Sequence, residues 1–126
     1  MLFTKVRNLS GQRGILTGAT SGVGRALARS LAERGVRLVI TGRRNARLVD
    51  LASEYPDFLV PFSGDITDSL FQEELVRYST AELGGIDLLI TAAGAGAVGP
   101  FFTSSTETMR KVFEIDFFSP IQLVQK

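Results

Sequence analysis

The chain has 126 residues, a formal net charge of +1, and 44% hydrophobic and 21% charged residues. That is one domain's length with enough apolar content for a buried core, which excludes a disordered chain. It holds no cysteine and no histidine, which excludes disulfides, thiolate chemistry, histidine-based triads and most zinc sites.

No Lys/Arg block suggests nucleic acid or an anionic membrane as partner. The longest apolar stretch, Leu88 to Phe102, is short for a membrane span and is interrupted by glycines and a proline. Met1 to Lys5 lacks the apolar region of a signal peptide. A reducing cytoplasm is the expected location.

Along the chain, short apolar runs alternate with helical patterns. Gly14 to Gly18 reads as a buried strand. Ser21 to Arg34 reads as a helix, with Val23, Leu27 and Leu31 as its apolar stripe and Gly35 as its stop. Val36 to Thr41 is a second strand. Asn45 is placed to cap a helix running to about Tyr55, with Leu48, Leu51 and Ala52 inward. Phe58 to Phe62 is a third strand, and Pro61 suggests that it lies at a sheet edge. Asp68 is placed to cap a helix to Leu83, with Phe71, Leu75 and Tyr78 on one side. Gly84-Gly85 ends it, and Ile86 to Ala92 forms a fourth strand. A glycine-rich loop over 94–100 follows. Ser104 and Glu107 suggest a capping box, and a final helix carries Pro120 within it.

This alternation predicts one α/β domain over residues 1–126. The expected architecture is a Rossmann-type doubly wound parallel sheet in order 3-2-1-4, stopping before a fifth strand. Its ligand crevice would lie between strands one and four, beyond their carboxyl ends.

The first strand runs into Thr17-Gly18-Ala19-Thr20-Ser21-Gly22-Val23-Gly24. Gly18 permits a tight exit from the strand. Gly22 and Gly24 allow close approach of backbone to a phosphate and of helix to sheet. The helix N-terminus adds free N–H groups and the positive end of the dipole, and Thr20 and Ser21 add hydroxyls. Between an apolar strand and an amphipathic helix, this turn suits a dinucleotide pyrophosphate better than it suits an ordinary loop. It is not a P-loop, because no Gly-Lys-Ser/Thr follows.

About twenty positions further on, a carboxylate would receive the adenosine ribose hydroxyls. The chain instead reads Thr41-Gly42-Arg43-Arg44. Two guanidinium groups suit a ribose 2′-phosphate and favour NADP(H) over NAD(H). The alternative is that one or both are solvated surface charge. Asp65, after the third strand, either meets the adenine amino group or simply shapes a turn.

Together these residues resemble the classical branch of the short-chain dehydrogenase/reductase family. Thr-Gly-x-x-x-Gly-x-Gly at 17–24 has the family's spacing. Arg43 stands where NADP-preferring members usually carry a basic residue. Asp65-Ile66 is similar to the adenine-contacting Asp-Val. Asp87 to Gly94 resembles the fourth-strand motif, with Thr91 and Ala92 in place of two asparagines. The resemblance implies cofactor contacts at Gly18, Thr20, Ser21, Gly22, Val23, Gly24, Arg43, Arg44, Asp65, Ile66, Ala92, Ala93 and Gly94. It implies no metal. It also implies hydride transfer on a small carbonyl or alcohol substrate, and a homo-oligomer paired through the C-terminal helix.

Asp116 occupies the place of the family's catalytic-tetrad asparagine, whose backbone carbonyl holds a relay water. Pro120, four residues on, has no N–H to occupy that carbonyl. The alternative is that Asp116 is an ordinary capping or kink residue. The family's Tyr-x-x-x-Lys pair has no counterpart here, since Leu59 follows Tyr55 and Glu82 follows Tyr78 at that interval. The chain is therefore expected to be the cofactor-binding half of an oxidoreductase, inactive alone. A non-catalytic dinucleotide-binding module and an interaction fragment completing its sheet with another chain are the other two readings.

Overall fold

Four short strands form one parallel sheet: β1 (Arg13–Thr17), β2 (Arg37–Thr41), β3 (Leu59–Pro61) and β4 (Leu88–Thr91), in the order β3-β2-β1-β4. The computed structural model describes residues 7–126. The N-terminal pentapeptide considered above for a leader lies outside the described residues. The connecting helices are α1 (Gly22–Ala32), α2 (Asn45–Glu54) and α3 (Ser69–Leu83).

Side chains alternate across each strand, so neighbouring residues enter different cores. Leu16, Leu38 and Ile40 face α1 and α2, joining Ala28, Ala32, Leu48 and Leu51. Ile15 and Val39 face the other way, toward Phe71, Leu75 and Leu83 of α3 and Leu123 near the C-terminus. Leu16, Leu38, Ile40, Leu48 and Leu51 are fully buried; removing each such side chain from water contributes roughly 2 kcal/mol. Both faces of the sheet are thus covered, as a parallel sheet requires.

The expected strand order is the observed one, and Pro61 does sit in the edge strand β3. The stripe expected on α1 is not the buried one. Gly24, Ala28 and Ala32 point into the seam, Leu27 and Leu31 flank it, and Val23 is 73% exposed. The helix lies so close to the sheet that only small residues fit beneath it. Asn45 is not the cap of α2. Arg44 takes the N-cap position and makes no side-chain capping bond. Asp68 does cap α3, its Oδ1 accepting from the Leu70 N–H at 2.9 Å.

The C-terminal segment departs from a single helix. A 3₁₀ turn (Phe101–Thr103) leads to α4 (Thr106–Phe113), a π-helical turn (Glu114–Phe118) and α5 (Ser119–Val124). The cap of α4 is Ser105, not Ser104, with the Ser105 Oγ accepting from the Thr108 N–H at 3.1 Å. The widening has a cause in the sequence. Pro120 cannot donate to the carbonyl four residues back, and the Ser119 N–H reaches back five residues to the Glu114 carbonyl. The Ser119 hydroxyl donates to the same oxygen at 2.6 Å. Buried Gln72 ties this turn to α3, donating to the Ser119 carbonyl at 3.4 Å and the Ile66 carbonyl at 2.7 Å. Among the described residues, β4 is paired on one side only, with β1.

Candidate functional site

The registers bring Thr17, Thr41 and Thr91 level at the carboxyl edge of the sheet. Beyond that edge a cleft of about 460 Å³ opens. It sits where the chain leaves β1 for one face and β4 lies on the other side, the switch point at which open α/β sheets take ligands.

The floor of the cleft is the turn after β1. Gly18 has φ +71°, and a Cβ there would lie 2.5 Å from the Ala92 carbonyl oxygen on the neighbouring turn. A Cβ on Gly24 would overlap the Gly18 carbonyl oxygen and stand 2.7 Å from its carbon. The two glycines therefore let α1 seat directly on the turn. The first turn of α1 carries no acidic residue, and its N-cap, Ser21, makes no side-chain capping bond. The helix end consequently keeps donors and partial positive charge for a ligand.

Of the residues expected at the site, the cleft brings together Gly18, Thr20, Ser21, Arg43, Arg44, Asp65, Ile66, Ala92, Ala93 and Gly94. Gly22, Val23, Gly24 and Asp116 do not line it. Gly24 acts from behind, through packing, and Val23 points to solvent. Thr41, Gly42, Gly64, Thr67, Lys111, Glu114 and Ile115 also line the cleft without having been expected contacts, and so does Thr17, the first residue of the glycine turn. Strand-end threonines carry no distinguishing pattern in sequence. Lys111 and Glu114 arrive through the fold of α4 and the π turn, which periodicity does not foretell.

Polar contacts order this rim. The Arg44 guanidinium donates to the Thr20 hydroxyl at 2.9 Å, linking the end of β2 to the glycine turn. The Thr17 hydroxyl accepts from the Ala93 N–H at 3.2 Å, joining the ends of β1 and β4. Thr41 Oγ1 is buried and lacks a hydrogen-bond partner among the described residues. A buried unpaired hydroxyl at a cleft wall is a group that a ligand could satisfy. Asp65 Oδ1 accepts from both the Thr67 N–H (2.9 Å) and the Thr67 hydroxyl (2.8 Å). These bonds hold its carboxyl below the usual range, with a smaller contribution from the Arg43 charge. Asp65 thus does shape a turn, and it also lines the cleft.

Asp116 stands next to this rim on the π turn. Its Oδ1 accepts from the Ala95 N–H at 2.8 Å, so the side chain holds the loop after β4 in place. Both tyrosines are elsewhere. The Tyr55 hydroxyl donates to Glu33 at 2.8 Å, and Tyr78 stacks on Phe62 at 4.5 Å between ring centroids. Each phenol is pushed up from its ordinary pKa, Tyr55 chiefly by that hydrogen bond and Tyr78 chiefly by burial.

A parallel sheet in this order, with a glycine-floored cleft at its switch point, defines a nucleotide-binding type of α/β domain. The sequence profile of the short chain dehydrogenase family matches residues 13–126, and the chain belongs to that family. It is similar to a diacetyl reductase [(S)-acetoin forming] of Staphylococcus epidermidis, at 31% identity over 114 residues. That match covers 88% of this chain and 44% of the relative. A carbonyl reductase [NADPH] 2 of Sus scrofa is 31% identical over 118 residues, covering 94% of this chain and 46% of the relative. Among solved structures, a short-chain dehydrogenase from Streptomyces avermitilis superposes with a TM-score of 0.85 at 33% identity, covering 90% of this chain and 42% of that one. The chain therefore spans less than half the length of these relatives. Among the described residues, no helix is long and apolar enough to cross a membrane.

Proposed function

We propose that this chain is the cofactor-binding half of an NADP(H)-preferring oxidoreductase acting on a small carbonyl or alcohol substrate. The observation that carries the reading is the meeting, in one cleft, of the glycine turn and the Arg43–Arg44 pair at the end of β2. Gly18, Thr20 and Ser21 would hold the pyrophosphate against the start of α1. Arg43 and Arg44 would take the ribose 2′-phosphate through their planar guanidinium donors. Asp65 and Ile66 would receive the adenine. Ala92, Ala93 and Gly94 would face the nicotinamide side, with Gly22, Val23 and Gly24 shaping the turn. The nicotinamide, when bound, supplies or accepts a hydride.

No phenol lies at the cleft, and both tyrosines have pKa values moved away from neutrality. These residues are therefore proposed to bind cofactor and to need a general acid from outside this sequence for turnover. The exposed Phe113, Phe117, Phe118 and Ile121 (60%, 52%, 48% and 43%) support pairing of copies through the C-terminal helical segment. The cytoplasm is the proposed compartment, on the lack of cysteine.

Titration with NADPH and NADH, followed by quenching or calorimetry, tests the cofactor reading. The wild type is expected to bind NADPH the more tightly, and Arg43→Ala to weaken NADPH by about tenfold or more with little change for NADH. Equal losses for the two cofactors, or no binding of either, would overturn it.

A further inference from the structure

We propose that Asp116 biases the cleft toward the oxidised, cationic form of the nicotinamide cofactor. This rests on the dinucleotide reading given above. It concerns which redox form is held, a matter apart from the backbone role expected at this position.

The charges along the cleft are not evenly spread. Arg43 and Arg44 stand at the β2 end. On the side formed by α4 and the π turn, Lys111 and Glu114 line the cleft, and Asp116 stands just outside the lining on the same turn. Lys111 is already engaged, its Nζ lying 2.9 Å from Glu107 Oε1. Neither Glu114 nor Asp116 has a cationic group within 4.0 Å among the described residues. The cleft thus has two arginines where β2 ends, and two carboxylates without a close cation on the other side, Glu114 in the lining and Asp116 behind it, beside the turn that follows β4.

Asp116 is fixed beside the rim, through the loop after β4. Its Oδ1 holds the Ala95 N–H at 2.8 Å and would lie 3.4 Å from a Cβ on Gly94, a cleft-lining residue. A dinucleotide laid across the switch point with its phosphates at the arginines and the glycine turn extends its other end toward β4. The oxidised nicotinamide ring carries a positive charge, and the reduced ring carries none. A carboxylate at that end attracts the first and is indifferent to the second, so it lowers one dissociation constant more than the other.

The test is Asp116→Asn in the complete reading frame that contains this chain. Asparagine keeps an oxygen to accept from the Ala95 N–H, so the variant removes charge and leaves the brace. Dissociation constants for NADP+ and NADPH are measured by calorimetry at low and at high salt. The variant is expected to raise the NADP+ to NADPH ratio of dissociation constants about threefold at low salt, the scale of one partly screened charge. The shift should shrink at about 1 M salt, where the screening length is about 3 Å. An unchanged ratio with both forms still bound would overturn the inference and leave the dinucleotide reading standing. If the wild type binds neither form, the dinucleotide reading fails and this inference fails with it. A salt-independent shift would also overturn it, because that would mark a rearranged loop and not a charge.

Discussion

Gly24→Ala is the most informative single change, because its effect can be worked from a contact between two backbones. The new methyl would overlap the Gly18 carbonyl oxygen and sit 2.7 Å from its carbon, where ordinary contact begins at 3.4 Å. No flexible side chain can yield, since Ala28 and Ala32 fill the rest of the seam. Helix α1 must retreat from the turn by the better part of an ångström. Overpacking of this kind costs about 3 kcal/mol. The gain in helix propensity from glycine to alanine offsets about 1 kcal/mol of it. The net loss of about 2 kcal/mol corresponds to a fall in Tm of roughly 6–10 °C at this chain length. Gly96→Ala is the control. A Cβ at Gly96 meets nothing within 4 Å, and the change should stay within about 0.5 kcal/mol. Both variants are to be melted by circular dichroism and titrated with NADPH. If Gly24→Ala melts like Gly96→Ala, the close seating of α1 on the turn is wrong.

Two threonines at the same rim should respond in opposite ways to the same substitution. Thr17→Val strands the Ala93 N–H that the Thr17 hydroxyl now accepts from, and should cost about 1–2 kcal/mol in urea unfolding. Thr41→Val replaces a buried hydroxyl lacking a partner and should be neutral or mildly stabilising, with any loss confined to ligand affinity. A stability loss in Thr41→Val equal to that in Thr17→Val would contradict the assigned bonding. Asp87 predicts an acid dependence. The Arg13 side chain donates to it through Nε at 3.0 Å and Nη2 at 3.1 Å, and the Arg13 backbone N–H at 2.9 Å. The side-chain bonds come first in holding its carboxyl below the ordinary range. A depressed folded pKa contributes stability above the unfolded value of roughly 3.9, lost as pH falls through the folded value. Asp87→Asn should therefore lower the urea midpoint at pH 7 and flatten its decline toward pH 3. An unaltered pH profile would remove Asp87 from the account.

The strands and their order were legible because buried parallel strands leave apolar runs such as Leu38 to Ile40 and Leu88 to Ile90, and glycines mark their ends. The glycine turn was legible for the same reason. Its backbone demands leave few residue choices at Gly18 and Gly24. The face of α1 was misread because periodicity counts large apolar residues, and the tightest packing uses the smallest. Val23 fits the helical stripe yet stands in solvent. Periodicity alone makes the C-terminal segment one helix with Pro120 inside it. A missing donor can kink a helix or widen it, and the choice of widening rests on Ser119, whose N–H and hydroxyl both find the Glu114 carbonyl. Lys111 on α4 and Glu114 at the start of that widened turn both line the cleft, a placement that spacing alone does not reveal.

Among the described residues, β4 pairs with β1 alone. The same strand runs directly into Ala92, Ala93 and Gly94, a wall of the cleft. An edge strand frays more readily than a central one, and fraying passes along the backbone to whatever it continues into. A further strand docked on β4 would quiet that wall and lengthen the residence of a bound ligand, mainly through its off-rate. The dwell time of the ligand is thus expected to report how completely the sheet is paired, even though the pairing edge touches no ligand.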